Sequence, residues 1–267
     1  MPEPVALVTD LPYWRRGRGD AARIAALHDS LAAHGAVHAV VLTNDTGATP
    51  PEIAATLVPA PPGSATATLS AAVGAALDAI RPRAVIVSFA RLSGLRRAIP
   101  AGTPALLDLH NVYSAVADNW HRVSPPAPVR DRAAEIAAWQ AFDRAIAITA
   151  GEAAIVATAI GADRTLLCPH PVATDRRAPF RRALVTIGIL AANSEANVAG
   201  IRWFAAEVLP RLPEPIALAV HGTIDQASLA GLARVRLAGP TPAPSSVLDG
   251  FDLFVNPAPW GTGMKIK

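Results

Sequence analysis

Residues 5–42 read VALVTDLPYWRRGRGDAARIAALHDSLAAHGAVHAVVL, and the fold class follows from them. Val5–Thr9 is an unbroken apolar run ending at Asp10, the pattern of a strand covered on both faces, as in a parallel sheet. A loop carrying Gly17 and Gly19 follows. Ile24, Leu27 and Leu31 then share one helical face, and His34-Gly35 closes the helix. Val37–Leu42 is a second buried strand. Strand, glycine-bearing loop, helix and strand make the first unit of an α/β protein.

The alternation continues outward. Pro59–Ser64 reads as a loop, Leu69–Ile80 as a helix stopped before Pro82, and Ala84–Phe89 and Pro104–Leu109 as buried strands. Val123–Val129 is a proline-rich loop, Asp131–Phe142 a helix and Arg144–Ile148 a strand. Thr149-Ala150-Gly151-Glu152 has the form of a capping box and opens a helix ending near Gly161, before a strand at Thr165–Cys168. The polar, arginine-bearing stretch Thr174–Arg182 marks a linker. We set it at 176–182, between a first domain of residues 1–175 and a second of 183–267. There the alternation restarts: strand Leu184–Leu190, helix Asn197–Leu209 before Pro210, and strands Ile216–Val220, Val235–Leu237 and Phe251–Val255. Two Rossmann-like βαβ domains are therefore expected. The second is incomplete, since its last strand has no covering helix, and a cut chain is the expectation.

Composition narrows the function classes. A chain of 267 residues, 51% hydrophobic and 17% charged, is globular rather than disordered. Cys168 is the only cysteine, which excludes a disulfide framework and a Cys-x-x-Cys zinc site. No apolar run is long enough to span a bilayer and no leader pattern opens the chain, so a cytoplasmic protein is expected. The net charge is +3, and of the 24 basic residues only Lys265 and Lys267 are lysine. Small arginine clusters (Arg15, Arg16, Arg18; Arg91, Arg96, Arg97; Arg176, Arg177; Arg181, Arg182) suit phosphate or an anionic membrane surface. Nucleic acid is not the expected partner, because no basic stripe is interleaved with aromatics, which form 5% of the chain.

Ligands of α/β sheets sit beyond the carboxyl ends of the strands. Gly17 and Gly19 lie there after the first strand and can offer backbone N–H groups to an anion, although the dinucleotide fingerprint is absent. Asp108-Leu109-His110-Asn111 ends another buried strand and places His110 as a donor or base, with Asp108 and Asn111 beside it. His170 follows the strand at Cys168 and His221 ends a strand of the second half; both are candidates to line a cleft. His28, His34, His38 and His121 lack metal-ligand spacing and read as structural, and Cys168 reads as a small hydrophobe. The segment Asn256–Lys267 follows the last strand with Gly261, Thr262 and Gly263, then Lys265 and Lys267, an arrangement suited to a diphosphate.

These residues together resemble glycosyltransferase family 4, of GT-B fold. Ile187-Gly188-Ile189-Leu190 with Asn197, Trp203-Phe204 and Val208-Leu209-Pro210 is similar to the family's opening strand and helix. Leu218–Gly222, Gly239, Phe251-Asp252, Val255-Asn256-Pro257 and the glycine-rich segment 261–267 resemble the run to its donor loop. Asp108-Leu109-His110-Asn111-Val112 resembles an Asp-x-His-Asp-Val segment of some members, and Cys168–Val172 sits where the family has a Pro-Asn-Gly-Val-like turn.

The resemblance implies retaining transfer of a sugar from a nucleotide-sugar to an acceptor hydroxyl on an unidentified carbohydrate or lipid-linked molecule, without metal or other cofactor. It implies catalytic work at His110 and donor phosphates held by Gly17, Gly19, Gly261, Thr262, Gly263, Lys265 and Lys267. The family's phosphate-gripping arginine and lysine are replaced here by Ile189 and the Ser194-Glu195-Ala196 region, which shifts that grip to Lys265 and Lys267. The family's paired glutamates would fall beyond Lys267, so weak or absent activity is expected of the chain as it stands. A nucleotide-sugar epimerase of the same fold and a non-catalytic sugar- or partner-binding subunit are the alternatives. A peripheral contact at the inner membrane face through Arg91, Arg96 and Arg97 is a further expectation.

Overall fold

The computed structural model of the chain describes residues 3–15, 19–45, 52–123, 129–171, 186–240, 247 and 250–261. Strand β1 (Val5–Thr9) is buried throughout, flanked in parallel register by β2 (Val37–Thr43) and β4 (Ala84–Ser88). Its side chains alternate between two cores. Val5 and Leu7 join Ala21 and Ile24 of helix α1 (Gly19–Ala32). Ala6 and Val8 join Val73 and Leu77 of α2 (Thr66–Ile80), with Trp139 and Val156. Helices on both faces explain the continuous apolar reading of this strand.

The remaining strands and α-helices of the first unit are β3 (Ala55–Pro59), β5 (Ala105–Asp108), α3 (Tyr113–Val123), α4 (Arg132–Gln140), β6 (Arg144–Ala147), α5 (Ala150–Ile160) and β7 (Thr165–Leu167), with 3₁₀ helices at Ala90–Ala98 and Ala162–Arg164. The sheet is wholly parallel, in the order β3-β2-β1-β4-β5-β6-β7. The capping box opens α5 as expected, with Thr149 Oγ1 accepting the Glu152 N–H at 3.2 Å. Two elements differ from the sequence expectation. Strand β3 runs through Pro59, where a loop is expected to begin; a proline is tolerated there because β3 is an edge strand and Pro59 is its last residue. Helix α3 carries no start signal of its own. Its first N–H groups, those of Tyr113 and Ser114, donate to Glu135 of α4 at 2.7 and 2.9 Å, so its cap is tertiary.

The second unit contains β8 (Thr186–Ala191), α6 (Glu195–Trp203), β9 (Ala217–Gly222), β10 (Val235–Gly239) and β11 (Leu253–Phe254), in a parallel sheet ordered β10-β9-β8-β11. Ile187, Ile189, Ile201, Leu209, Leu218 and Val220 form its core. The expected helix 197–209 is interrupted: α6 ends at Trp203, widens to a π turn over Phe204–Val208 and tightens to a 3₁₀ turn at Leu209–Arg211. Pro210 has no N–H and its ring crowds the preceding turn, which ends the regular ladder. The linker expected at 176–182 lies outside the described residues. The two units touch where Trp120 of α3 stacks on Trp260, with ring centroids 5.1 Å apart and planes 15° from parallel.

Candidate functional site

The strand order reverses between β1 and β4, the switch point at which open α/β sheets bind ligands. Thr9, Ser88 and Asp108 end β1, β4 and β5 there, and all three are fully buried. Register pairs Ser88 with Asp108. The chain leaves β4 through Phe89 at φ 86° and leaves β5 through His110 at φ 60°. Two side-chain-bearing residues in left-handed backbone are unusual, and such strain collects at functional sites. Their rings stack on each other, 4.0 Å between centroids.

Asp108 organises the polar groups. Its Oδ1 accepts from Nη2 of Arg23 at 2.7 Å, and Arg23 on α1 is itself only 2% exposed. Its Oδ2 lies 3.1 Å from Nε2 of His110. Ser88 Oγ lies 2.8 Å from the same ring nitrogen and 3.4 Å from Oδ2. Burial alone raises the Asp108 pKa, but the hydrogen bonds and charges of His110 and Arg23 outweigh it and hold the carboxyl below its ordinary range. An ionised carboxylate only accepts, so the nitrogen facing it carries a proton. Ser88 and Asp108 therefore meet His110 at one nitrogen. A hydrolytic Ser-His-Asp triad needs them on opposite nitrogens, so this cluster is not one.

The surrounding side chains fix the two turns. Arg91 lies over the Phe89 ring, 3.6 Å from its centroid, and grips Asp10 through two bonds of 2.6 and 2.8 Å. Glu152, 2% exposed, accepts the Val112 N–H at 3.0 Å, so the residue that completes the α5 capping box also holds the chain after His110. A cavity of about 520 Å³ opens alongside, lined by Ala90, Arg91, Tyr113, Arg130, Glu135 and Ala138 among others. A second, of about 450 Å³, lies where the units meet and includes Trp120, Trp260, Asn193, Ser194, Glu195 and Arg202.

Of the residues singled out in the sequence, Asp108 and His110 come together, with Asn111 half-buried beside them. Gly19 is the first residue of α1, one turn before Arg23. His170 follows β7; burial first, and then the positive charge of Arg23, hold its pKa below the ordinary value. His221 belongs to the second unit, edge-on to Phe251 at 5.3 Å, its pKa lowered by burial and then by Arg236. Gly261 follows Trp260 at φ 129°. Gly17, Thr262, Gly263, Lys265 and Lys267 lie outside the described residues. Ile189, which stands where the resembled family has its arginine, is 1% exposed in the second core. Ser194 caps α6, accepting the Asn197 N–H at 3.4 Å. The cluster Arg91, Arg96 and Arg97 is distributed among Asp10, the Ala141 carbonyl and the Gly94 carbonyl.

Sequence reasoning missed Arg23, Ser88, Phe89, Glu135 and Glu152. A signal existed for Arg23 alone: it is four residues from Leu27 and eight from Leu31, on the apolar stripe of α1 itself. Among the described residues no helix is long and apolar enough to cross a membrane, and no three His, Cys, Asp or Glu side chains gather as a metal would require.

No family model and no curated protein sequence matches the chain. Solved structures do. Sucrose-phosphate synthase from Thermosynechococcus elongatus is 16% identical, with 90% of this chain and 71% of that one aligned at a TM-score of 0.64. UGT2 of Phytolacca americana, complexed with UDP-2fluoro-glucose and pterostilbene, is 14% identical over 94% of this chain and 75% of that one, at 0.51. UDP-N-acetylglucosamine 2-epimerase from Rickettsia bellii is 12% identical over 90% and 70%, at 0.50. With two parallel-sheet units meeting at the Trp120–Trp260 stack, the chain has the GT-B fold.

Proposed function

We propose that the chain transfers a sugar from a nucleoside-diphosphate sugar to an acceptor hydroxyl, with His110 at the reacting centre. The observation that carries this reading is the buried Arg23–Asp108–His110 network at the switch point of a GT-B fold. Transfer requires stabilisation of a departing diphosphate and of positive charge on the sugar. A buried, oriented imidazole beside an ionised carboxylate suits the second task or the handling of the acceptor proton. Gly19 and Gly261 are proposed as backbone contacts to the donor phosphates. Gly17, Thr262, Gly263, Lys265 and Lys267 are proposed for the same role from their sequence. Retention of configuration, membership of family 4 and a hexosyl donor rest on the sequence resemblance alone. The cavity beside Arg91 and Tyr113 is proposed to receive the acceptor.

Incubating the purified chain with UDP-, GDP- and ADP-sugars and measuring nucleoside diphosphate release, with and without a pool of glycoside and lipid-linked acceptors, tests the reading. Release that falls about 10²- to 10⁴-fold in His110→Asn supports it. Failure to bind any nucleoside diphosphate, or release undiminished in that variant, overturns it. The second reading is a nucleotide-sugar epimerase, favoured by the fold shared with the Rickettsia enzyme. A donor whose sugar is epimerised with no acceptor present would select it.

A further inference from the structure

The polar network contains a group that the functional reading leaves without a task. Arg23 is a full cation on the apolar stripe of α1, 2% exposed, and Asp108 is its partner at 2.7 Å. Burying such a pair is expensive, and removal of either member leaves a stranded charge. Replacing both by apolar residues of similar volume would serve packing at least as well. The orientation of the carboxylate offers a physical reason for the pair. Arg23 takes Oδ1 and leaves Oδ2, which faces Nε2 of His110 at 3.1 Å, with Ser88 Oγ 3.4 Å from that oxygen. A carboxylate held at one oxygen by a guanidinium cannot rotate that oxygen toward the imidazole.

We propose that Arg23 is a positioning residue: by fixing Asp108 through Oδ1, it keeps the His110 proton on Nε2 and leaves Nδ1 as the lone-pair atom of the neutral ring. Nδ1 has no hydrogen-bond partner among the described residues, while Nε2 has two. Phe89 stacks on the ring, 4.0 Å between centroids, and packs against its face. Arg23 acts at one remove, since it touches Asp108 and not the ring. Nδ1 is thereby the atom able to accept a proton or a hydrogen bond from a bound hydroxyl. The statement about the tautomer stands on geometry. The statement about turnover rests on the glycosyltransferase reading above.

Long-range ¹H–¹⁵N correlation spectra of the ¹⁵N-histidine-labelled chain, above the pH at which the ring is charged, read the tautomer directly. His110→Asn identifies the signal. The wild-type chain is expected to show His110 as the Nε2–H form. Arg23→Gln is expected to mix the two forms, and Arg23→Lys to keep most of the Nε2–H form because it keeps the charge. Circular dichroism and melting curves establish that each variant is folded. If Arg23→Gln does not fold, Arg23→Met, which lacks the charge and keeps the length, takes its place in the same spectra with the same expected mixing. A His110 in the Nδ1–H form in the wild-type chain overturns the proposal, as does an unchanged tautomer in folded Arg23→Gln. In the transfer assay, Arg23→Gln is expected to lose about tenfold or more in kcat with donor KM unchanged. A shifted tautomer with unchanged kcat removes the positioning role. Failure of the wild-type chain to bind any nucleoside diphosphate, with the expected tautomer, removes the glycosyltransferase reading and leaves the Arg23–His110 relation standing.

Discussion

A Cβ placed on Gly200 would lie 2.5 Å from the carbonyl oxygen of Pro257. Helix α6 and the segment leading to Trp260 therefore meet backbone against backbone, and no side chain fits between them. This contact fixes the path of the chain toward the Trp120–Trp260 stack and so helps set how the second unit faces the first.

Gly200→Ala is expected to destabilise the protein although alanine is the better helix former. The propensity gain is about 1 kcal/mol, and overpacking against an immovable backbone costs about 1–3 kcal/mol or more. Gly151→Ala in α5 is the contrast: nothing lies within 4 Å of its Cβ, and a gain of a few tenths to about 1 kcal/mol is expected. Urea melts of both variants against the parent check the pair. Equal effects would refute the packing argument.

The Glu152 side chain serves two segments: Oε2 accepts from the Thr149 hydroxyl at the start of α5 at 3.2 Å, and Oε1 accepts the Val112 N–H at 3.0 Å. Glu152→Ala keeps the Thr149 cap on the backbone N–H but strands the buried Val112 donor and removes the Thr149 hydroxyl's acceptor, and is expected to cost about 1–3 kcal/mol. The same substitution frees the turn after His110. Amide hydrogen exchange at Val112 should rise far above the rise at Leu107 in the middle of the sheet, and parallel changes at both would argue for global unfolding only.

Trp120 and Trp260 report on how the two units meet. Trp260 is 8% exposed, and a parallel ring pair contributes about 0.5–1.5 kcal/mol beyond its buried area. In Trp120→Ala, the near-ultraviolet dichroism of the stacked indoles should disappear and acrylamide should quench Trp260 more readily. Unchanged spectra would mean that the rings do not stack in solution.

Acid should weaken the fold in two stages. His38, His170 and His221 have pKa values held below the ordinary value, in each case first by burial. The unfolded chain therefore takes up protons that the folded chain refuses. Their contribution is whole above the unfolded value of about 6.5 and is lost as pH falls below it. Asp108 is depressed as well, so its contribution persists above its unfolded value, about 3.9, and is lost as pH falls through the lower folded value. Stability measured by urea at steps from pH 8 to 3 should decline below pH 6.5 and again below 4. In His170→Asn the first decline should be shallower. A flat profile between pH 8 and 5 would contradict the histidine assignment.

The sequence alone determined the α/β alternation, because a strand covered on both faces must be apolar along its length and a covering helix must repeat its apolar residues every turn. That is why Val5–Thr9, Ile24–Leu31 and Val37–Leu42 were legible. It also placed Asp108 and His110 at a strand end, since the ligand edge of a parallel sheet is a matter of chain direction. Boundaries set by tertiary partners were not legible. Helix α3 begins where Glu135 caps it from α4, and β3 exists because β2 offers it an edge. Only the folded chain brings Arg23, 85 residues away, onto Asp108 and directs the proton of His110 to one nitrogen. No local pattern encodes that pairing, because it depends on which face of α1 the sheet buries and on Phe89 and His110 accepting left-handed backbone that the surrounding packing enforces.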